Sequence, residues 1–268
     1  MSEIRSVLVM WLLGGSALLA ITLVSVEEEV AIGRQASEQM RRQMPELRDT
    51  RVAAYVRGIG ERLVRQAPGP NYPYTFSVVD YREINAFALP GGPVRINRGV
   101  LQMAGNESQV AAIVAHEVAH IAERHAASQL TKVMLTNWGL GLLGAVLGNT
   151  GGAGPAQVAA SLLANGAFLR FSRDDEREAD QTGLQILTGA GWSARGMMEL
   201  LEVLRLEAKK DPGAAEAFFA THPSPQDRIG FLKADVARRR GGRRDSAEFR
   251  AIKARVLRLP APRQMKRE

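Results

Sequence analysis

The stretch Asn106-Glu-Ser-Gln109-Val110-Ala-Ala-Ile113-Val114-Ala-His116-Glu117-Val-Ala-His120-Ile121-Ala122 decides both the fold and the chemistry of this chain. It is predicted as one helix from Asn106 to Ala126. Asn106 with Gln109 three residues on is a capping-box start, and Val110, Ile113, Val114 and Ile121 recur at helical spacing. His116 and His120 are four apart, so both imidazoles leave the same face one turn from each other. Two neutral imidazoles so placed reach one tetrahedral Zn²⁺, and Glu117 beside them is suited to take a proton from bound water. The competing reading is a helix that carries two histidines by accident. Against it, the chain has four histidines, three of them between 116 and 125 and the fourth at His222.

Two histidines and a water leave one ligand unfilled. An H-E-x-x-H-x-x-G-x-x-H site needs Gly at 123 and His at 126, where this chain has Glu123 and Ala126. His125 follows His120 by five residues, about 140° round a continuous helix. It is therefore expected to be structural, hydrogen-bonded near the helix end. The third ligand is expected to be a carboxylate on another helix, and Glu176-Arg-Glu-Ala-Asp180 offers one. Glu176 and Asp180 face the same way, so Glu176 can bind zinc while Asp180 accepts the spare N–H of a ligating histidine. Glu178 points elsewhere and reads as a solvated charge. The plain alternative is an ordinary acidic helix face.

A chain of 268 residues, 46% hydrophobic and 24% charged, has room for one large domain or two small ones. The absence of cysteine excludes disulfides, thiolate ligands, a thiol nucleophile and a lipoprotein anchor. The net charge of +7 is uneven: Lys233 to Glu268 holds thirteen Lys/Arg against four Asp/Glu, which leaves the rest of the chain at −2. Residues 238–268 are therefore set apart as a basic tail, suited to anionic lipid or protein contact. Nucleic acid is not an expected partner.

Val7 to Val26 runs twenty residues without a charge, enough helix to span about 30 Å, the thickness of a bilayer core. Arg5 precedes it and Glu27-Glu28-Glu29 follow, which keeps the N-terminus cytoplasmic and exports the remainder. An uncleaved anchor fits better than a cleaved signal, because no good small-residue cleavage site follows. Residues 27–66 read as helix with a break near Pro45. Tyr74–Val79, Asn85–Leu89 and Val94–Asn97 read as strands, with Pro90-Gly91-Gly92-Pro93 as a turn. Val94, Arg95, Ile96 and Asn97 are a candidate substrate-pairing strand; the competing reading is an inner strand with no free edge. The apolar, glycine-rich residues 135–169 read as a helical hairpin beside the cleft, a lid or lipid-facing flap. Gly139-Leu-Gly141-Leu-Leu-Gly144 matches a dinucleotide fingerprint in letters alone, without the βαβ context it needs. Further helices are expected over 173–188, 194–210, 214–220, 226–237 and 247–257.

Taken together, these stretches resemble the zinc peptidases of metallopeptidase family forty-eight, which includes the CAAX prenyl endopeptidases and the HtpX and BepA types. The likeness rests on Val26-Glu-Glu-Glu-Val30, on Asn85-Ala-Phe-Ala-Leu-Pro-Gly-Gly92, and on His116-Glu-Val-Ala-His120 with Arg124-His125. It continues in Ser172-Arg173 with Glu176-Arg-Glu-Ala-Asp180, and in Thr221-His-Pro-Ser224 with Arg228. The single span is most similar to the periplasmic BepA-like branch, although the helical-repeat domain of that branch has no counterpart here. The resemblance implies an α+β, mainly α-helical, gluzincin-type domain over 27–237, with a small antiparallel sheet beside the metal helix. One N-terminal membrane helix over 1–26 would precede it.

The resemblance also implies one Zn²⁺ per subunit on His116, His120 and Glu176, with Glu117 as general base and acid. His222 would be either an oxyanion donor or a fourth ligand, against the plainer reading of a core histidine before a proline turn. Arg228 would orient a carboxylate or simply pair with one at the surface. The implied activity is endoproteolysis of membrane-associated or misfolded envelope polypeptides, with the catalytic domain in the periplasm, either held at the inner membrane or released after signal cleavage. A membrane-tethered chaperone or assembly factor that keeps the zinc fold without turnover is the alternative.

Overall fold

A computed structural model of the chain describes residues 22–139, 159, 170–222 and 225–265. Expectations that fall on residues 1–21, on most of 135–169, and on 223–224 lie outside them. Helix α1 (Val26–Gln43) opens on a capping box in which Ser25 accepts from Glu28 N–H and Glu28 accepts from Ser25 N–H. Ser25 has extended backbone, so the apolar stretch read as far as Val26 does not run into α1 as one helix. Among the described residues no helix is long and apolar enough to cross a membrane. Pro45 lies in the break before α2 (Thr50–Val64), which Asp49 caps.

Three strands follow: β1 (Thr75–Val79), β2 (Ala86–Ala88) and β3 (Pro93–Asn97). The chain reverses between β1 and β2 and again at Gly91 and Gly92, whose φ values of 71° and 131° suit glycine. β3 therefore enters between the other two, parallel to β1 (Thr75↔Pro93 to Val79↔Asn97) and antiparallel to β2 (Ala86↔Ile96 to Ala88↔Val94). The sheet is mixed, not antiparallel as the sequence suggested. This order also removes Val94, Arg95, Ile96 and Asn97 as a substrate strand, because both edges of β3 are already paired. The edges belong to β1, where Leu47 N–H already donates to Val78 O and Glu46 bridges Val79, and to β2. Asn97 N–H donates to Asn85 O and Leu89 N–H to Pro93 O, so the alternate residues Ala86 and Ala88 turn their backbone groups away from β3.

Helix α3 (Arg98–Met103) leads into α4 (Glu107–Ala122), every residue of which is buried. A helix buried on all sides belongs in a core, and the polar side chains it carries must find partners there. α4 lies with β2, β3 and α2 on one side and α6 (Arg173–Gly189) and α7 (Arg195–Lys210) on the other. Gly183 permits the α6 approach: a Cβ there would sit 3.2 Å from His116 Cα. Helix α5 (His125–Gly139) starts only three residues after α4 ends, and Leu130 and Ala127 join Ile32, Ala36 and Met40 of α1 over Phe87 and Leu89. Helices α8 (Pro212–Thr221), α9 (Pro225–Arg238) and α10 (Ala247–Arg258) complete the body.

The segment set apart as a basic tail is folded onto this body. Phe249, Ile252 and Val256 of α10 enter the main core. The buried Arg98 donates through Nη2 to Val256 O at 2.9 Å and through Nη1 to Pro260 O at 2.7 Å, closing the helix end. Its charge is peripheral, but its apolar stripe is structural.

Candidate metal centre

Asn106 caps α4 by accepting from Gln109 N–H at 3.2 Å, while the Gln109 side chain accepts from Gly105 N–H at 2.7 Å. From this start, His116 and His120 fall on one face with their Nε2 atoms 3.1 Å apart. Helix α6 begins with a capping box, Ser172 with Asp175, which puts Glu176 in its first turn. Glu176 Oε1 lies 3.4 Å from His120 Nε2, and Oε2 lies 3.5 Å from His116 Nε2. His222, at the C-terminal cap of α8, brings Nδ1 to 2.7 Å from Glu176 Oε1 and 3.4 Å from His116 Nε2. One nitrogen or oxygen from each of His116, His120, Glu176 and His222 lies within 4.8 Å of the others, and all four residues are buried. This group can hold a metal ion.

The atoms themselves call for a cation. Two neutral imidazoles whose bare nitrogens face each other at 3.1 Å repel unless a positive charge lies between them. Both carboxylate oxygens of Glu117 are buried with no hydrogen-bond partner among the described residues, a costly state unless a water or ion serves them. Burial pushes the Glu117 carboxyl above its ordinary range, and the His222 and His116 charges pull the other way without overcoming it. Burial and Arg228 press His116 toward its neutral form, yet hydrogen bonds to Asp180 and Glu176 outweigh them and lift it to about 9. His120 is pushed well below the usual histidine range, first by burial. The Glu176 carboxyl resists burial and is held low by His222, His116 and His120.

A second layer orients the first. Asp180 Oδ1 lies 3.2 Å from His116 Nδ1, and Arg228 grips Asp180 with a fork, Nε to Oδ2 at 2.8 Å and Nη2 to Oδ1 at 2.6 Å. Arg228 Nη1 also reaches Glu176 Oε2 at 2.7 Å. It pairs with carboxylates inside the site, not at the surface. His120 Nδ1 meets His125 Nδ1 at 2.8 Å, and His125 Nε2 meets Glu178 Oε2 at 3.2 Å. The sequence reading put His125 near the helix end but not against His120, and it sent Glu178 to solvent alone. Those contacts require α4 to stop at Ala122, with Arg124 at φ 60° before α5 restarts. Neither glycine nor proline marks that break. Phe171, which stacks on His120 with ring centroids 3.9 Å apart, was also missed; its only signal is an aromatic just before the Ser172 cap.

The sequence matches Peptidase family M48 over residues 50–236. It is similar to the Beta-barrel assembly-enhancing protease of Escherichia coli strain K12, at 32% identity over 246 residues, which are 87% of this chain and 49% of that one. It is similar to the Mitochondrial metalloendopeptidase OMA1 of Schizosaccharomyces pombe, at 33% identity over 72% of this chain and 55% of the relative. It is also similar to the Metalloprotease YcaL of Escherichia coli strain K12, at 28% identity over 66% of this chain and 70% of the relative. The chain thus spans about half the length of the first two. The chain belongs to peptidase family M48.

Proposed function

We propose that the chain is a zinc-dependent endopeptidase in which His116, His120 and Glu176 hold one Zn²⁺. The observation that carries this is the convergence of those three side chains beside the unpartnered Glu117 carboxylate. When bound, the ion supplies Lewis-acid polarisation and acidifies a water. Glu117 takes the proton of the attacking water and hands it to the leaving amine. Its raised pKa suits the first half of that task, since a stronger conjugate base accepts the proton more readily. Asp180 takes the Nδ1 hydrogen of His116, which leaves Nε2 bare toward the site, and Arg228 keeps Asp180 ionised and in place.

His222 lies inside the same cluster, with Nε2 3.6 Å from Glu117 Oε1. We read it as a fourth ligand in this closed arrangement that donates to the tetrahedral oxyanion once substrate displaces it. With β3 enclosed, an extended substrate pairs with the edge strand β2, at Ala86 and Ala88, which lies against α4.

The uncharged stretch from Val7 to Val26, together with the likeness to a Beta-barrel assembly-enhancing protease, supports an envelope location. The catalytic part would lie in the periplasm, and its substrates would be membrane-associated or misfolded envelope polypeptides. Casein hydrolysis tests the chemistry. Glu117→Gln is expected to lose about 10³-fold in rate while keeping one zinc per chain. Equal hydrolysis by both proteins would end the peptidase reading and leave a zinc-folded assembly factor.

A further inference from the structure

His125 is buried, sits outside the four-residue cluster, and has no place in the reaction as described above. Its two nitrogens are nevertheless both engaged, one by His120 and one by Glu178. Two Nδ1 atoms 2.8 Å apart share one hydrogen between them. The Glu178 carboxylate can only accept, so the hydrogen of a neutral His125 resides on Nε2 and its Nδ1 is bare. His120 must then carry hydrogen on Nδ1, and its Nε2 lone pair is left facing His116 Nε2 at 3.1 Å and Glu176 Oε1 at 3.4 Å.

The backbone is built to make this contact. A continuous helix would carry His125 about 140° away from His120. Arg124 instead takes a left-handed conformation that non-glycine residues seldom adopt. Tertiary contacts hold it there: Nε donates to Glu29 Oε1 at 2.7 Å and Nη2 to Val24 O at 2.6 Å. Helix α5 then restarts at His125 and turns its ring back, to 4.9 Å from the His120 ring. A left-handed non-glycine residue held by tertiary contacts points to a position whose geometry is used.

We infer that His125 is a positioning residue for His120, accepting the Nδ1 hydrogen so that Nε2 alone is presented to the metal. His116 is served by the buried Asp180–Arg228 fork, and His120 by a histidine backed by a half-exposed glutamate. The inference rests on the zinc reading above, and its test separates the two.

Asparagine places its amide oxygen where the histidine Nδ1 lies, whereas glutamine places its amide beyond it, near Nε2. His125→Asn is therefore expected to bind zinc within about threefold of the wild type, measured by competition with a chromophoric chelator. His125→Gln and His125→Leu are expected to bind it about 10- to 100-fold more weakly. The visible spectrum of the Co²⁺-loaded protein should be unchanged for Asn and shifted for Gln. Equal weakening by Asn and Gln would reduce His125 to a structural residue and overturn the inference, as would wild-type affinity in a folded Leu variant. The Asn–Gln comparison decides the matter even where the Leu variant does not fold. Absence of zinc from the unsubstituted protein is a separate failure: it would bring down the metal site, and this inference with it.

Discussion

At its first residue α4 is fastened by the side chain of Glu107, and just past its last residue by the side chain of Arg124. Glu107, buried at the N-terminal end, accepts from Trp192 Nε1 at 2.9 Å, Ser246 Oγ at 2.8 Å and Tyr55 OH at 3.3 Å. It also pairs with Arg243 Nε at 2.9 Å. One carboxylate thus gathers α2, the loop after α6 and the C-terminal segment. At the other end Arg124 is the donor, the acceptors are Glu29 and Val24 O, and the segment gathered is the N-terminal one. The Glu107 knot lies nine residues before His116, about 14 Å along the helix. Arg124 is adjacent to His125, which touches His120 directly. The first end should therefore hold the protein together, and the second should set the aim of a metal ligand.

Glu107→Ala is the severest way to test that contrast. It strands the Trp192 and Tyr55 donors in the core and removes the ion pair with Arg243, which together should cost about 3 kcal/mol in urea unfolding. Zinc bound per folded chain should stay at the wild-type value. Loss of zinc affinity in that variant comparable to that of His125→Gln would erase the distinction between the ends. Arg124→Ala should be milder, about 2 kcal/mol, made up of roughly 1 kcal/mol from the Glu29 pair and a similar loss from the hydrogen bond to Val24 O, since the cost of a left-handed residue is common to arginine and alanine. Arg124→Gly loses the same contacts but relieves the left-handed cost that arginine and alanine both carry, so it should recover about 1 kcal/mol, half of that loss. Both should still weaken zinc roughly tenfold, since neither ties the turn to Glu29. Equilibrium unfolding and chelator competition on the same three proteins read the two quantities separately.

How much of this was legible in the sequence follows the same division. Asn106 announced the N-cap of α4, the 3.6-residue apolar period announced its buried run but carried it on to Ala126 where the helix stops at Ala122, and the i, i+4 histidines announced a shared face, because each signal is local. Pro90-Gly91-Gly92-Pro93 announced a turn, but the placement of β3 between its neighbours depends on where β1 lies, which no residue between 80 and 85 encodes. The basic composition of 238–268 hid an apolar stripe at Phe249, Ile252 and Val256 whose spacing was readable, because charge was summed over a window that the helix divides by face. The break at Arg124 was not readable at all. Its left-handed backbone is dictated by Glu29, 95 positions earlier in the chain, and a contact of that range leaves no mark on the local pattern.

The smallest effect concerns the acid behind Arg124. Burial raises the Glu29 carboxyl above its ordinary value, against the pull of Arg124 and Tyr72, so the folded state binds that proton more tightly than the unfolded chain does. Its contribution to stability is then full below about pH 4, the unfolded value, and declines as pH rises through the folded one. Asp175, in the capping box of α6, has the opposite sign. Its carboxyl resists burial and is held low chiefly by hydrogen bonds from Ser172, so its contribution is full above about pH 4 and is lost as pH falls. Relative to Glu29→Gln, the wild type should therefore lose stability as pH rises from about 4 to 7. Relative to Asp175→Asn, it should gain stability as pH rises toward about 4 and then stay level. Urea midpoints across that range separate the two slopes. A flat Glu29 difference from pH 4 to 7 would mean that Arg124 fully offsets the burial of its partner, so that the C-terminal anchor stores stability as Glu107 does and the two ends of α4 differ only in their distance from the metal.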